Sequence, residues 1–402
     1  MSYPILIYCQ AVTYMNREQL EQAFIGLYGP SEEKARCFYA PGRVNLIGEH
    51  TDYNGGYVFP AALNLGTFLL IRPRREPGIA FASTDFDAKA TIDPASIVYD
   101  KADDWINYPK GVLYELGKEG HTFGGYEVLY HGIIPNGAGL SSSASIQLVT
   151  GFAFLTMEGR PVDRVQLALL AQRSENEFLG VKCGIMDQFA VAMGQRDHAI
   201  LLKCDTLDYE RVPFESTGYK LVIGNTNKRR GLVDSAYNER REQCEQAVQD
   251  LRAVYPELNL LGELSLEQFE QAESAIREET VRRRARHVVE ENERVLASVD
   301  ALKRNDLAAF GRLMDASHES LRTLYEVSCR ELDILVEEAR RIDGVLGSRM
   351  TGAGFGGCTV SLVREDSVDR FIEQVGTAYA TRSGLKADFY VCKIGDGVTE
   401  LD

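Results

Sequence analysis

The sequence predicts a mixed α/β (α+β) protein of two domains. Strand-like and helix-like segments alternate through the first half of the chain, whereas residues 233–342 are largely helical, charged and poor in glycine. The remainder of the chain returns to a mixed pattern. At roughly 150 residues per domain, a chain of 402 residues is long enough for two or three domains. We place the first domain at 1–207 and the second at 208–402, with the last strand free to return to the first domain.

Hydrophobic patterning predicts the individual elements in chain order. The first half is predicted to contain strands at 65–73 and 125–133, helices at 107–117, 141–157 and 161–178, and strands at 198–204 and 219–225. The third of these helices has Pro161 in its first turn and Asp163 soon after, as is typical of helix N-termini. After the helical region, the chain is predicted to end with a strand at 358–364, a helix at 367–383 and a strand at 387–393.

Charge and cysteine usage exclude several function classes. The formal net charge is −15, so the chain repels a phosphate backbone and we expect no nucleic-acid partner. No run approaches the ~20 apolar residues of a membrane span, so we expect no membrane association. The eight cysteines are scattered without a CxxC pair, which favours free thiols in a reducing cytoplasm. The most basic run, RRRAR at 282–286, is interpreted as a solvated helix face.

A first chemistry-bearing segment is PGRVNLIGEHTDYNGG at 41–56. It places Arg43, Glu49, His50 and Asp52 within ten residues, among residues that favour turns. Carboxylates, imidazole and guanidinium in so small a space suit recognition of a small polyhydroxylated ligand. A polar surface loop with a capping Asp is the alternative, and residue types alone leave it open.

A second segment, PNGAGLSSSAS at 135–145, joins glycines to three serines that open an apolar helix. Glycines let the backbone approach a ligand closely, and a helix N-terminus suits phosphate. Serine hydroxyls can also reach a Mg²⁺ ion. The pattern GxxxxGK[ST] is absent, so the segment predicts a phosphate site of another type. The alternative is a glycine turn with a serine N-cap.

Two further segments carry glycines beside reactive groups. In CGIMDQ at 183–188, Asp187 follows a glycine turn, and with Glu175 upstream it could accept a proton or bind a metal, or be a turn residue only. MTGAGFGG at 350–357 matches GxGxxG formally. Because a strand rather than a helix follows it, we reject a dinucleotide site and predict a glycine loop that packs closely against another backbone or a ligand.

Together these segments resemble the motifs of the GHMP small-molecule kinase family, and within it the galactokinase group. PNGAGLSSSAS resembles the family's nucleotide loop, MTGAGFGG its third motif, and GRVNLIGEHTDYNGG the sugar signature. The resemblance runs from about Ala40 to Lys393 and includes WINYPKGV at 105–112 and NERREQC at 238–244. It implies an N-terminal ribosomal-S5-like domain, a C-terminal helix-rich α/β domain, and an active site in the cleft between them.

The resemblance also implies a reaction. ATP, with Mg²⁺, would phosphorylate D-galactose at its anomeric hydroxyl to give α-D-galactose 1-phosphate and ADP, the first committed step of galactose (Leloir) catabolism. Asp187 would be the catalytic base, with Arg43 beside it. The substrate-binding residues would be Arg43, Glu49, His50, Thr51, Asp52, Gly184, Asp187 and Tyr237. The ATP-binding residues would be Ser83, Trp105, Gly137, Ala138, Gly139, Leu140, Ser141, Ser142 and Ser143. Ser143 and Glu175 would hold the Mg²⁺.

Two alternatives remain at this point. The first is a kinase for a related sugar, such as N-acetylgalactosamine, galacturonate or arabinose, because one sequence does not expose the shape of the pocket around C2 and C6. The second is a galactose sensor with little or no catalysis. Such sensors are expected to be damaged in the serine-rich loop, which is intact here through Ser143 and Ala144. We expect a cytoplasmic monomer or weak homo-oligomer whose partners are the sugar and ATP.

Overall fold

The computed structural model describes residues 15–135, 138–228 and 233–401, without the side chains of 233–235. Helices and strands both contribute to the fold, and within these ranges only helices lie between residues 225 and 345, so the α/β (α+β) prediction with a helical middle region is confirmed. The helices are α1 (Arg17–Tyr28), α2 (Asn107–Lys118), α3 (Ser142–Met157), α4 (Arg164–Arg173), α5 (Met186–Met193), α6 (Val233–Leu251), α7 (Leu266–Ala272), α8 (Glu279–Lys303), α9 (Leu307–Ser320), α10 (Arg330–Arg340) and α11 (Val368–Ser383). The strands are β1 (Arg36–Asn45), β2 (Tyr57–Val58), β3 (Pro60–Pro73), β4 (Ile79–Ser83), β5 (Ala90–Ile92), β6 (Tyr126–Gly132), β7 (His198–Lys203), β8 (Tyr209–Pro213), β9 (Tyr219–Asn225), β10 (Val345–Thr351), β11 (Cys358–Arg364), β12 (Asp388–Cys392) and β13 (Thr399–Leu401).

A sheet in the order β13-β1-β3-β6-β4-β5 organises the first half of the chain. Its pairs are antiparallel except β4 with β6. Helices α3 and α5 pack on β1 and β3, and α1 contacts β3 and β6. The sheet buries apolar side chains on both faces, because Leu20 and Phe24 of α1 cover the face away from the main core. This packing fixes the ends of β1 and α3, where the site forms.

A second, antiparallel sheet in the order β10-β11-β9-β12 organises the second half. Helices α10 and α11 cover it with an apolar layer that includes Leu335 and Phe371. The predicted strand at 387–393 corresponds to β12 and pairs with β9 in this sheet. A further short strand, β13, returns to pair with β1 in the first sheet. The division at residues 207 and 208 stays a prediction.

One apolar core joins the two halves. Val44 and Leu46 at the end of β1 pack in the same cluster as Ile223 of β9 and Val360 of β11. A small sheet in the order β2-β7-β8 lies alongside, with β2 and β7 paired antiparallel. Because β1 contributes to the shared core, the segment that follows it is held against the second half of the chain.

The structure corrects two expectations about helices. The predicted helix at 161–178 begins only at Arg164, because Asp163 is the N-cap and accepts from the backbone of Val165 and Gln166; Pro161 lies before it. After α4 the chain forms a π-helical turn, Ser174–Phe178. The RRRAR run lies on α8, but it is not wholly a solvated face, because Arg284 is buried and donates to the Leu324 carbonyl.

Candidate active site

A β-bulge at the end of β1 turns Arg43 toward the nucleotide loop. The register of β1 with β3 shifts between Pro41 and Arg43. A Cβ on the intervening Gly42 would lie 2.6 Å from the Leu140 carbonyl oxygen, so only glycine allows the strand and loop to meet this closely. The Arg43 backbone N–H donates to that same carbonyl at 3.2 Å. Bulges of this kind re-aim a side chain beside a site.

Arg43 and Asp187 form a close ion pair. The Arg43 Nε and Nη2 atoms both lie 2.7 Å from Asp187 Oδ1, and Arg43 Nη1 donates to the Gly139 carbonyl at 2.7 Å. The Ser141 hydroxyl donates to the other oxygen, Asp187 Oδ2. Asp187 lies in the first turn of α5, where the helix dipole favours negative charge. The arrangement presents an oriented carboxylate whose charge the guanidinium stabilises.

A cavity of about 560 Å³ opens beside this pair, between residues of the two halves. Most of the predicted sugar-binding residues line it: Arg43, Glu49, His50, Asp52, Gly184, Asp187 and Tyr237. Thr51 does not. Its hydroxyl donates to the buried carbonyls of Gly48, at 2.9 Å, and Tyr57, at 2.6 Å, so it holds the turn rather than reaching the cavity. The position of Thr51 therefore departs from the sequence-based expectation.

Glu49 is buried and fixed by three donors. Its Oε1 accepts from the Gly352 backbone N–H at 2.8 Å and lies 3.3 Å from Arg349 Nη1. Its Oε2 accepts from Asn45 Nδ2 at 2.9 Å. Arg349 itself is fully buried on β10 and also donates to the Asn45 carbonyl at 3.0 Å. The carboxylate is therefore a preorganised acceptor, tied to the glycine-rich loop of the third motif.

Asp52 packs against Gly184 on the wall of the cavity. A Cβ on Gly184 would lie 1.9 Å from Asp52 Oδ2, which is too close for any side chain. Burial, and then the negative charge of Asp187, raise the pKa of Asp52 to about 7. A carboxyl with this pKa can exchange roles between hydrogen-bond acceptor and donor near neutral pH.

His50 has left-handed backbone geometry, with φ of 64°, and is buried. Burial, and then repulsion from His287 when both rings are protonated, lower the pKa of His50 to about 3, so the imidazole is neutral near pH 7. The ring of Tyr237, on α6, lies 5.7 Å from the His50 ring. The two rings are tilted by 42° to each other, and both residues line the cavity, where they give a ligand aromatic surface to contact.

A second cavity, of about 980 Å³, lies on the other side of the Arg43–Asp187 pair. The predicted ATP-binding residues that line it are Ser83, Trp105, Gly139, Ser141, Ser142 and Ser143. Trp105 is mostly buried; its Nε1 donates to the Ala88 carbonyl at 3.3 Å, and its ring stacks on Phe86. The side chains of Ala138 and Leu140 instead pack in the core that joins the two halves. Gly137 lies outside the described residues.

Glu175 and Ser143 meet behind the nucleotide loop. Glu175 lies on the π-helical turn and is 8% exposed. Burial, and then the charge of Asp187, raise its pKa to about 7, and hydrogen bonds from Ser143 and Gln188 act against this rise. Across the described ranges, no three His, Cys, Asp or Glu converge as a ready-made metal cluster. One carboxylate with one hydroxyl suits a cation that takes its other ligands from water and phosphate.

The two cavities meet at the ion pair. Arg43, Asp187 and Ala353 line both of them. A ligand in the first cavity and a ligand in the second therefore approach each other at one carboxylate and one guanidinium. This geometry fits transfer of a group from one ligand to the other.

Sequence reasoning missed the residues that support the site from behind. Arg349 precedes the third motif directly, and Asn45 lies inside the sugar signature, yet neither was selected. Their roles depend on contacts across 304 residues of chain, from Arg349 to the Asn45 carbonyl. The strand around Arg349, VLGSRMT, is not distinctly apolar, so local sequence gave no signal that would have identified this arginine as buried.

Comparisons with known proteins agree with this geometry. Family models match the chain at 22–73 (galactokinase galactose-binding signature), 107–195 (GHMP kinases N-terminal domain) and 298–381 (GHMP kinases C-terminal). The chain is 49% identical to a galactokinase of Bacillus subtilis over 389 residues, covering 96% of this chain and 99% of that protein. It is 51% identical to a galactokinase of Halalkalibacterium halodurans, covering 91% and 92% of the two chains.

Solved structures give the same result. The crystal structure of Lactococcus lactis galactokinase complexed with galactose superposes with a TM-score of 0.92 at 43% identity, covering 96% of this chain and 99% of that one. A mevalonate kinase of Methanococcus jannaschii superposes with a TM-score of 0.65 at 20% identity, covering 90% and 99%. The second likeness shows the fold alone. None of the helices in the described ranges is long and apolar enough to span a bilayer.

Proposed function

This chain belongs to the galactokinase family of the GHMP kinases, and from that premise we propose how its residues transfer a phosphoryl group. It is an ATP-dependent kinase that phosphorylates D-galactose at the anomeric hydroxyl, giving α-D-galactose 1-phosphate and ADP. The observation that carries the proposal is the junction of the two cavities at Arg43 and Asp187. The sugar occupies the smaller cavity and the nucleotide the larger one.

In this proposal, Asp187 accepts the proton of the anomeric hydroxyl. That hydroxyl is a weak nucleophile at neutral pH, so a carboxylate within hydrogen-bond reach assists its attack. The sugar oxygen forms a bond to the γ-phosphorus, the bond from that phosphorus to the bridging oxygen breaks, and ADP leaves with the electron pair. The proton passes from Asp187 to solvent after transfer. Because Ser141 donates to Asp187 Oδ2, that hydroxyl must turn aside or share the oxygen when the sugar binds.

Arg43 has two roles in this scheme. It stabilises the carboxylate of Asp187, and it lies where negative charge develops on the transferred group. Its contact with the Gly139 carbonyl fixes it to the nucleotide loop. Glu49, Asp52 and His50 would then orient the sugar, with most of the rate arising from positioning and electrostatics.

The residues present fit a Mg²⁺ ion. Glu175 is a buried carboxylate with a raised pKa, and Ser143 contacts it. A cation beside Glu175 would favour the ionised form of this carboxylate. We infer that these two residues would hold Mg²⁺. When bound, the ion supplies charge neutralisation at the phosphates.

The two alternatives are not favoured. A sensor without catalysis does not need the Arg43–Asp187 pair, which is assembled here. The two curated relatives described above, at 49% and 51% identity, are galactokinases. The ATP substrate supports a cytoplasmic location, and no disulfide joins the cysteines of the described residues. A monomeric or weakly associated state stays a prediction.

A substrate panel tests the function. ADP release with Mg-ATP is measured for galactose, N-acetylgalactosamine, galacturonate, arabinose, glucose and mevalonate, and ³¹P NMR locates the phosphate on the product. We expect galactose to have the highest kcat/KM and the phosphate to be on C1. A higher kcat/KM for another sugar would identify that sugar as the preferred substrate and contradict the proposal. Galactose binding without turnover would support the sensor instead.

A further inference from the structure

A chain of buried hydroxyl and thiol groups ends at His50. The Tyr53 hydroxyl lies 2.8 Å from His50 Nδ1, and the Tyr325 hydroxyl lies 2.7 Å from the Tyr53 hydroxyl. Cys244 Sγ, on α6, lies 3.2 Å from the Tyr325 hydroxyl. Tyr53 lines the sugar cavity, whereas Tyr325 and Cys244 are buried away from it, and the mechanism above gives none of these three groups a role.

The other imidazole nitrogen sets the direction of the chain. His50 Nε2 lies 3.3 Å from the Ala353 carbonyl oxygen, which can only accept a hydrogen bond. A neutral imidazole has one donor and one acceptor nitrogen. A proton on Nδ1 would leave the lone pair of Nε2 facing this carbonyl. The proton is therefore on Nε2, and Tyr53 donates to Nδ1.

We propose that Tyr53 is a positioning residue that holds His50 in the Nε2–H tautomer, so that His50 meets the sugar as a hydrogen-bond donor. The donor is available, because 3.3 Å is long for an N–H···O bond and a ligand oxygen can take it over. The acceptor would be a hydroxyl oxygen of the sugar. The identity of this ligand rests on the proposed function, whereas the tautomer does not.

The first test uses the wild-type protein without substrates. Histidine labelled with ¹⁵N gives separate NMR signals for protonated and unprotonated ring nitrogens, and the chain has only six histidines. The His50 signals are assigned by their loss in His50→Gln. We expect a neutral ring protonated at Nε2. A ring protonated at Nδ1, or at both nitrogens, at pH 7 would overturn the proposal whether or not the protein is a kinase.

The second test removes one hydroxyl. In Tyr53→Phe we expect part of the His50 population to move to the Nδ1–H tautomer, and the galactose KM to rise roughly five- to tenfold, the effect of one lost hydrogen bond. The ATP KM should not change. Tyr126→Phe is the matched control, since it loses a hydroxyl bond to Glu158 that lies outside both cavities. An unchanged tautomer in Tyr53→Phe would contradict the proposed role of Tyr53.

A third comparison remains informative if Tyr53→Phe does not fold. In His50→Gln the side-chain amide reaches toward the Nε2 position, whereas in His50→Asn it reaches only toward Nδ1. The left-handed backbone at His50 favours Asn over Gln. We nevertheless expect tighter galactose binding by His50→Gln in calorimetry. Equal or weaker binding by His50→Gln would contradict a donor at Nε2, whereas no binding by the wild type would contradict the proposed function.

Discussion

The substitution Gly184→Ala gives the sharpest quantitative prediction. The added Cβ would lie 1.9 Å from Asp52 Oδ2 and 2.4 Å from its Cγ, whereas ordinary contacts begin at 3.4 Å. The Asp52 carboxylate must therefore move by about 1.5 Å. Its backbone cannot follow, since Asn54 and Gly55 donate back to Thr51 and Asp52 in the same turn. The carboxylate must rotate away from the position proposed for the sugar.

The expected loss is one hydrogen bond between a carboxylate and a sugar hydroxyl. Such a bond contributes about 1.5–3 kcal/mol, so the galactose KM should rise roughly 10- to 150-fold. The galactose KM is measured by steady-state kinetics at saturating ATP. The ATP KM, measured separately at saturating galactose, is expected to stay constant. The matched control is Gly117→Ala on α2, where a Cβ meets nothing within 4 Å. A galactose KM for Gly184→Ala equal to that of the control would refute the placement of Asp52 in the sugar site.

Three further predictions follow from the same site. Asp187→Asn should keep an oxygen that accepts from Arg43, while its NH2 group donates to the Ser141 hydroxyl and so reverses that bond. Galactose binding by calorimetry should therefore survive while kcat falls roughly 10²- to 10⁴-fold, and near-normal kcat would remove the base role. The raised pKa of Glu175 means that its contribution to stability is fully present below pH 4.5 and is lost as the pH rises through about 7. In urea unfolding, the free energy of unfolding of Glu175→Gln relative to wild type should therefore be higher above pH 7 than below pH 4.5. The same difference at both pH values would contradict the raised pKa. Arg349→Met should lower the free energy of unfolding by about 3–5 kcal/mol, because it leaves Glu49 buried without its cation; a loss of only a few tenths would show that Gly352 and Asn45 alone hold the carboxylate.

Local patterns predicted part of the fold and missed β1 and β10, the strands that carry Arg43 and Arg349. The strand at 219–225 and the helix at 107–117 were found because their apolar spacing is strong. The start of α4 was placed too early because Pro161 resembles a first-turn residue, yet the Asp163 side chain caps the helix two residues later. Arg284 was taken as solvated because charge alone does not reveal that carbonyl and carboxylate acceptors from elsewhere in the chain surround it.

The site was predictable only in part. Each motif identified its own reactive groups, such as Asp187 and the serines of the nucleotide loop. The pairing of Arg43 with Asp187 joins residues 144 positions apart, and it was expected only from the family resemblance, because local sequence carries no record of such a contact. The π-helical turn that presents Glu175 was equally hidden, since its residues continue a helical pattern. For Thr51 and Leu140, motif membership did not reveal that the hydroxyl holds a turn and that the leucine side chain packs in the core.

A crystal structure with galactose and a non-hydrolysable ATP analogue tests the central claim most directly. We predict galactose in the smaller cavity with its anomeric oxygen within hydrogen-bond distance of Asp187, about 2.6–3.2 Å. The γ-phosphate of the analogue should face that oxygen from the larger cavity, beside Arg43. An anomeric oxygen turned away from Asp187, or a different sugar hydroxyl facing the γ-phosphate, would contradict the account.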